Sequence, residues 1–326
     1  MNRKVICVGN ALTDVIRVIE NDNVLAELKL PKGSMQMIDS DTQKQFLNKT
    51  KHYSTTMVSG GSAANTANAI AKLGIDSAYV GMVGVDEYGD FFIQDMEESG
   101  VRSIVSKSNN NETGVALTFV SQDGERTFAT NLGAALDLNP SLLKEEDFKN
   151  YNYVHIEGYQ IYNRPLIEAI FSIAKTNNLK ISIDLASYNV VTENREYIIS
   201  LCKQASVIFA NEDEAFALTN LAPEDAVKEI ATYCDIAVVK IGEKGSLISN
   251  NKEVFTIEAD TNRQKKDTTG AGDVYAGGFL AALCQDLDLQ TCGKWGTIAA
   301  GGVIEVFGTK MDNYCWEVIR QKIAMK

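Results

Sequence analysis

The chain has 326 residues, 45% of them hydrophobic and 23% charged, and a formal net charge of −12. Its length allows a large core and its composition is ordinary for a globular protein, while an acidic balance without a basic stripe excludes nucleic acid as a partner. No apolar run reaches the roughly 18 residues of a membrane span, so no membrane partner is expected, and six scattered cysteines without a Cys-x-x-Cys pair favour a reducing, cytoplasmic location.

Strands and helices alternate along most of the chain. Apolar runs rich in β-branched residues predict strands at Val5–Val8, Ala78–Val83, Val115–Ser121, Tyr153–Glu157, Ile181–Leu185, Val207–Ala210 and Ile236–Ile241. Helical periodicity predicts helices at Arg164–Thr176 and Pro223–Cys234, and a third from Gly272 to Cys284. This order is typical of an α/β fold with a central, mostly parallel β-sheet flanked by helices. Ligands bind such sheets at the carboxyl ends of the strands.

Two stretches, residues 11–40 and 113–131, interrupt this alternation. The second predicts a hairpin that pairs Val115–Ser121 with Arg126–Thr130. Because strands outside a strand–helix rhythm often form a separate small sheet, we expect a β lid over the site, within a single α/β domain that spans residues 1–326. The strand edges of such a lid would offer a surface for a homodimer.

The most informative segment is Asp267–Leu280, DTTGAGDVYAGGFL, which opens a strong helical pattern. A glycine-rich turn at a helix N-terminus exposes N–H groups and the positive end of the helix dipole, and both bind anions. Gly270 and Gly272 let phosphate oxygens approach the backbone, and Asp273 lies where it can accept a proton from an attacking hydroxyl. The alternative interpretation is a tight turn in which Asp273 merely caps the helix. Because threonines, glycines and an acid lie so close together here, phosphate binding is favoured.

A second segment, Ser59–Gly74, predicts a helix made mostly of small residues, GGSAANTANAIAKLG after its first serine. Small side chains allow another group to approach the helix backbone, and Asn65 and Asn68 carry donors and acceptors suited to a polyol. Close packing of the helix against the sheet explains the alanines equally well. Taken alone, this segment leaves both interpretations open.

Together the two segments resemble the signatures of the ribokinase family, also called the phosphofructokinase-B (pfkB) or adenosine-kinase family. The run Asn131–Ala135, NLGAA, is similar to its adenosine-kinase-like branch. The resemblance implies a ribokinase-like fold and an ATP-dependent kinase that phosphorylates a hydroxyl, expected to be a primary CH2OH, of a small sugar or nucleoside. A furanose-containing acceptor is favoured, and free sugar and nucleoside both stay open.

The resemblance also implies roles for individual residues. The catalytic residues would be Asp273 as base, with Gly270, Ala271 and Gly272 as anion hole. The substrate contacts would be Asn10, Asp14, Gly60, Gly61, Asn65 and Glu157. The ATP contacts would be Arg126, Asn211, Glu214, Lys240, Gly242, Gly245, Thr268, Gly270 and Gly272. Glu214 would hold Mg²⁺ through water, and Asp267 and Thr269 would offer carbonyls to K⁺.

Several of these residues also allow simpler interpretations. Asn211 and Glu214 fit an ordinary helix N-cap followed by an acid, and Arg126 fits a solvated arginine of a hairpin. For the whole chain, the alternative function is a non-catalytic ligand-binding regulator on the same fold. A nicotinamide dehydrogenase is disfavoured, because Tyr275 stands where the dinucleotide fingerprint has its third glycine.

Overall fold

The computed structural model describes residues 3–260 and 263–325. The strands are β1 Lys4–Val8, β2 Leu12–Val18, β3 Met35–Met37, β4 Thr55–Gly60, β5 Asp76–Gly84, β6 Val101–Ser108, β7 Gly114–Val120, β8 Arg126–Asn131, β9 Tyr153–Glu157, β10 Lys180–Asp184, β11 Val207–Asn211, β12 Ile236–Lys240, β13 Ser246–Ser249 and β14 Val254–Ile257. The α-helices are α1 Asn23–Glu27, α2 Ser40–Lys49, α3 Ser62–Lys72, α4 Glu87–Glu98, α5 Glu145–Phe148, α6 Arg164–Thr176, α7 Tyr188–Cys202, α8 Glu212–Thr219, α9 Pro223–Ile230, α10 Ala271–Leu283, α11 Leu289–Val303 and α12 Asn313–Ala324.

The described strands form a large and a small sheet. The large sheet has nine strands in the order β14-β13-β12-β11-β10-β9-β1-β5-β6. Its pairs from β12 to β6 are parallel, whereas β13 and β14 are antiparallel. The α/β fold with a mostly parallel central sheet is therefore confirmed. The seven strands predicted from apolar runs are all present, with ends shifted by at most two residues.

The helices cover both faces of the large sheet, because its central strands are apolar on both sides. In β1, Ile6 and Val8 belong to a core layer that includes α6 to α9, while Val5 and Cys7 belong to a layer that includes α3 and α10. All four side chains are fully buried. This two-sided burial is why the strands appear in the sequence as continuous apolar runs.

The small sheet has five strands in the order β3-β8-β7-β2-β4. The predicted hairpin is confirmed, since β7 and β8 pair antiparallel with Val115 opposite Asn131. One face of the sheet packs under α1 and α2 through apolar side chains of alternating strand positions. The opposite face carries Asp14 and Arg126. The lid predicted from residues 11–40 and 113–131 is incomplete. Strand β4 lies between these two stretches in sequence and forms one edge of the small sheet.

Two further details differ from the prediction. Helix α9 ends at Ile230 rather than at Cys234, because the chain turns there to enter β12 at Ile236. The strands β6, β13 and β14 were not predicted. Strands β6 and β14 lie at the two edges of the large sheet, where polar residues interrupt the apolar ones and several positions are exposed or half-buried. Within the described ranges, no helix is long and apolar enough to cross a membrane.

Candidate active site

The glycine-rich turn forms the N-terminus of α10, as predicted. Gly270 caps the helix in the left-handed region with φ of 71°, and a Cβ there would lie 2.6 Å from Cγ2 of Thr309. The N–H groups of Gly272 and Asp273 lie in the first turn, where a helix has no carbonyl to accept them. The N–H of Ala271 instead donates to the carbonyl of Thr268 at 3.1 Å. The turn therefore offers first-turn amides to an anion, with Ala271 already engaged.

Asp273 is oriented by the small-residue helix α3. Ser62 Oγ donates to its Oδ1 at 2.7 Å, and Asn65 Nδ2 donates to its Oδ2 at 2.9 Å. Burial and the negative charge of Asp184 raise the pKa of Asp273 to about 6, against the lowering effect of these two donors. Asp273 is therefore ionised near neutral pH but far less acidic than a surface aspartate.

A lysine–aspartate pair lies beside the turn, at the carboxyl ends of β12 and β10. Lys240 Nζ is 2.7 Å from Oδ2 of Asp184, and a Cβ on Gly272 would lie 3.0 Å from the same Nζ. Burial alone would raise the pKa of Asp184, but the charge and hydrogen bond of Lys240 outweigh it and lower that pKa. A positive charge is thereby held against the anion-binding turn.

Asn211 and Glu214 form a reciprocal cap at the start of α8. The N–H and side-chain amide of Asn211 each donate to one carboxylate oxygen of Glu214 at 2.8 Å, and the N–H of Glu214 donates to Oδ1 of Asn211 at 2.8 Å. These hydrogen bonds therefore agree with the simpler interpretation, in which Asn211 is the N-cap of α8. Burial and the charge of Asp184 raise the pKa of Glu214 to about 7.

A cavity of about 830 Å³ opens over these groups. Its volume is in the range of small-molecule sites. Its lining includes most of the predicted ATP contacts, namely Asn211, Glu214, Lys240, Gly242, Gly245, Thr268 and Gly272. Gly245 is required at its position, because its φ is 102° and a Cβ would lie 1.9 Å from the carbonyl oxygen of Ile257. Gly270 and Arg126 lie outside this lining.

The predicted substrate residues Asp14, Gly60, Gly61 and Asn10 meet where the small sheet joins the large one. A Cβ on Gly60 would lie 2.4 Å from Oδ1 of Asp14, and a Cβ on Gly61 would lie 2.2 Å from the carbonyl oxygen of Asn10. The glycine pair thus makes room for the aspartate and the loop. Burial, with a contribution from the charge of Asp273, raises the pKa of Asp14 to about 7, while Arg126 opposes it. The charge of Asp273 therefore acts on Asp14, and the space between the two carboxylates is the candidate acceptor cleft.

Glu157 lies behind this cleft rather than on its surface. It is 1% exposed, its Oε1 accepts the N–H of Asn10 at 2.8 Å, and its Oε2 accepts the N–H of Ala63 at 3.1 Å. The side chain of Asn10 in turn accepts a bond from Gln160 at 2.8 Å. Burial raises the pKa of Glu157 to about 7 against these donors. This geometry supports the backbone of the acceptor region, and direct contact with substrate stays a prediction.

Arg126 is not solvated, contrary to the simpler interpretation. Its side chain is 8% exposed and its Nη1 lies 2.8 Å from Oδ2 of Asp267. The same nitrogen is 3.5 Å from Oγ1 of Thr269. Arg126 therefore joins the small sheet to the segment that precedes the glycine-rich turn.

Sequence reasoning missed two residues of this site. Asp184 ends a buried strand, and a buried acid at a strand end usually has a partner or a function, so this signal could have found it. Ser62 was hidden among the small residues of α3, and its hydroxyl gains a function only because α10 packs against α3. Among the described residues, no cluster of three or more His, Cys, Asp or Glu side chains could hold a metal ion.

Comparison with known proteins identifies relatives along the whole chain. Residues 33–313 match the family described as pfkB family carbohydrate kinase. The chain is 32% identical to a probable sugar kinase protein from Rhizobium etli, with a TM-score of 0.88 and coverage of 98% of each chain. It is 30% identical to the adenosine kinase from Sinorhizobium meliloti, with a TM-score of 0.88 over 99% of this chain and 100% of that one. A nucleoside kinase of Methanocaldococcus jannaschii is 27% identical over 328 residues, 98% of this chain and 96% of that protein. The chain therefore belongs to the pfkB family of carbohydrate kinases, and it is a sugar or nucleoside kinase.

Proposed function

We propose that this kinase transfers the γ-phosphate of ATP to a primary hydroxyl of a furanose-containing acceptor. The observation that supports it most is the placement of Asp273, whose carboxylate lies in the first turn of α10 and is held by Ser62 and Asn65. In the reaction the acceptor oxygen bonds to the γ-phosphorus, ADP leaves, and the hydroxyl proton passes to Asp273. A base with a pKa of about 6 is adequate, because the proton leaves late in a loose transition state.

The cavity beside Lys240 is the proposed ATP site. The Lys240 ammonium and the first-turn amides of α10 supply positive charge, which stabilises the transferring phosphoryl group and the departing ADP. Glu214 would hold Mg²⁺ through water, which fits because each of its oxygens accepts one hydrogen bond from Asn211 and keeps a lone pair. Bound Mg²⁺ would neutralise charge between the phosphates.

The acceptor cleft favours a nucleoside over a free sugar. Strand register places Met37 opposite Thr130, Thr130 opposite Ala116, and Ala116 opposite Asp14. Directly paired residues share one face of a sheet, so Met37 and Asp14 lie on the cleft face, about 14 Å apart across three strand spacings. Met35 and Met37 are each 58% exposed on that face. A furanose bound at Asp14 would place an attached base over these apolar side chains.

We also propose that residues 1–326 form a single kinase domain in which the small sheet is the lid. Its cleft face carries Asp14 and Arg126, so its position relative to the large sheet determines how these groups meet ATP and acceptor. A homodimer through the lid edges β3 and β4 stays a prediction.

The test is an acceptor panel assayed with Mg·ATP, in which ADP formation is measured by chromatography for nucleosides, ribose and fructose. We expect nucleosides to have the highest kcat/KM. Met37→Ser should raise the nucleoside KM about tenfold, because it loses an apolar contact worth about 1.5 kcal/mol. Met57→Ser is the matched control, since Met57 pairs with Val15 and so faces away from the cleft.

Two results would contradict these proposals separately. If the enzyme prefers a free sugar and the KM of Met37→Ser equals that of wild type, the nucleoside proposal fails but the kinase proposal stands. ATP binding without phosphorylation of any acceptor would instead favour the non-catalytic regulator.

A further inference from the structure

Arg126 contacts the same residues that the family resemblance gives to a monovalent cation. The expected ligands were carbonyls of Asp267 and Thr269, with the chain near Gly308. Arg126 Nη1 lies 2.8 Å from Asp267 Oδ2 and 3.5 Å from Thr269 Oγ1. A Cβ on Gly308 would lie 3.8 Å from Nη2 of the same guanidinium. A permanent cation of the protein thus lies between the segments that would surround K⁺.

The carboxylate of Asp267 has no capacity left for a metal ion. Its Oδ1 accepts the N–H of Thr269 at 3.0 Å and the Thr269 hydroxyl at 2.8 Å. Its Oδ2 accepts the N–H of Gly308 at 2.7 Å and the Nη1 of Arg126 at 2.8 Å. A carboxylate offers about four lone-pair positions, and all are used here. A metal ion could bind this carboxylate only by displacing one of these donors.

Charge and burial argue against a second cation at this place. The side chains of Arg126 and Asp267 are 8% and 7% exposed, so water screens the pair poorly. An arginine in a protein keeps its proton at every working pH, so its charge cannot be removed to admit K⁺. Within the part of the chain that the structure describes, Asp267 forms its ion pair with Arg126, and the charge of this arginine would repel a further cation at the neighbouring carbonyls.

We propose that Arg126 takes the place of the monovalent cation, so that this kinase works without K⁺. The guanidinium fixes Asp267, and through it the turn that leads to Gly270, as a cation coordinated by this segment would. Because Arg126 belongs to β8 of the small sheet, the charge is delivered by the lid. This inference rests on the proposed phosphoryl transfer for its activity readout, and it has a second readout in cation binding.

The first experiment compares wild-type protein in KCl and in tetramethylammonium chloride at equal ionic strength. Tetramethylammonium is too large to enter a carbonyl cage. ADP is measured by chromatography, so that no coupling enzyme responds to the cation, and thermal unfolding is measured in both salts. We expect equal rates and equal midpoints. Activation by K⁺ of more than about fivefold, the lower end of usual coupling between a ligand and a distant site, would overturn the proposal. So would a K⁺-specific rise in the midpoint.

The second experiment removes the guanidinium. Arg126→Met should lower kcat about a hundredfold in tetramethylammonium, the scale of a lost electrostatic group at an anion site, and K⁺ should restore activity in part. Arg126→Lys keeps a charge and should stay independent of K⁺. Arg102→Met is the matched control, because Arg102 pairs with Asp147 and its side chain is 62% exposed. Full activity of Arg126→Met without K⁺, or no rescue of this variant by K⁺, would overturn the proposal that Arg126 replaces the cation.

The two hypotheses fail in different ways. If no acceptor is phosphorylated in either salt, the proposed function fails, while the unfolding midpoints still report whether K⁺ binds.

Discussion

Replacing Asp273 by asparagine should separate catalysis from stability. The change is nearly isosteric, and Ser62 and Asn65 remain beside the side chain. An amide cannot accept the proton of the attacking hydroxyl, so we expect kcat to fall by about 10²–10⁴, the usual contribution of a positioned general base. ATP affinity should change little, because the amides of the turn and Lys240 are unaltered.

The same substitution should favour the fold more at pH 8 than at pH 4. The pKa of Asp273 rises from 3.8 to about 6 on folding, chiefly through burial, so the folded protein binds this proton more tightly than the unfolded chain does. The free energy of unfolding therefore falls as pH rises from about 4 to 6. Each pKa unit corresponds to about 1.4 kcal/mol, so the carboxylate costs the fold about 3 kcal/mol at pH 8. Asparagine, which is neutral at all pH, avoids this cost.

The assay combines turnover with urea unfolding of wild type and Asp273→Asn at pH 4 and pH 8. We expect the variant to be nearly inactive, and its stability relative to wild type to rise by about 3 kcal/mol between pH 4 and pH 8. Asp225→Asn is the control for loss of an exposed carboxylate, since Asp225 is 66% exposed on α9. Near-normal turnover of Asp273→Asn would refute the base assignment. A stability difference that is the same at pH 4 and pH 8 would refute the argument from burial.

Three more predictions concern the turn, the glycine pair and the lid. Gly272→Val should reduce ATP affinity in calorimetry by at least about tenfold, because a Cβ already lies 3.0 Å from Lys240 Nζ and the larger branches occupy phosphate space; unchanged affinity with α10 intact would make the turn structural only. Gly60→Ala should raise the acceptor KM without changing ATP affinity, because its Cβ would lie 2.4 Å from Oδ1 of Asp14 and displace that carboxylate; an unchanged KM would exclude Asp14 from acceptor binding. Strands β2, β7 and β8 should exchange amide hydrogens faster than β1 and β9 without ligand and slow when acceptor binds, and equal protection in both states would argue against a moving lid.

The parts of the fold that could be predicted from the sequence are those with a local signal. Central strands such as Tyr153–Glu157 are buried on both faces, so they appear as continuous apolar runs and are located to within two residues. The edge strand Thr55–Gly60 has its first three residues exposed, so it lacks the continuous apolar run that marks the central strands, and it pairs with β2, which lies far away in sequence. Its place in the small sheet could not be predicted.

The site divides in the same way. The turn before Asp273 is one contiguous segment, and a helix N-terminus binds anions wherever it lies, so its chemistry could be predicted. Glu157 could be predicted to have a partner, but the N–H groups that it holds belong to Asn10 and Ala63, far away in sequence. The pairing of Arg126 with Asp267 likewise depends on how the small sheet lies over the large one, which no local pattern encodes.

The most direct test of phosphoryl transfer is a ³¹P NMR spectrum of wild-type protein with Mg·ATP and the best acceptor of the panel. We predict that the γ-phosphate signal is lost as a phosphomonoester signal grows, split into a triplet by two methylene protons. Asp273→Asn should leave ATP intact over the same time. A doublet, which marks a secondary hydroxyl, would contradict the proposed acceptor position. Release of inorganic phosphate alone, or no change at all, would contradict the proposed transfer itself.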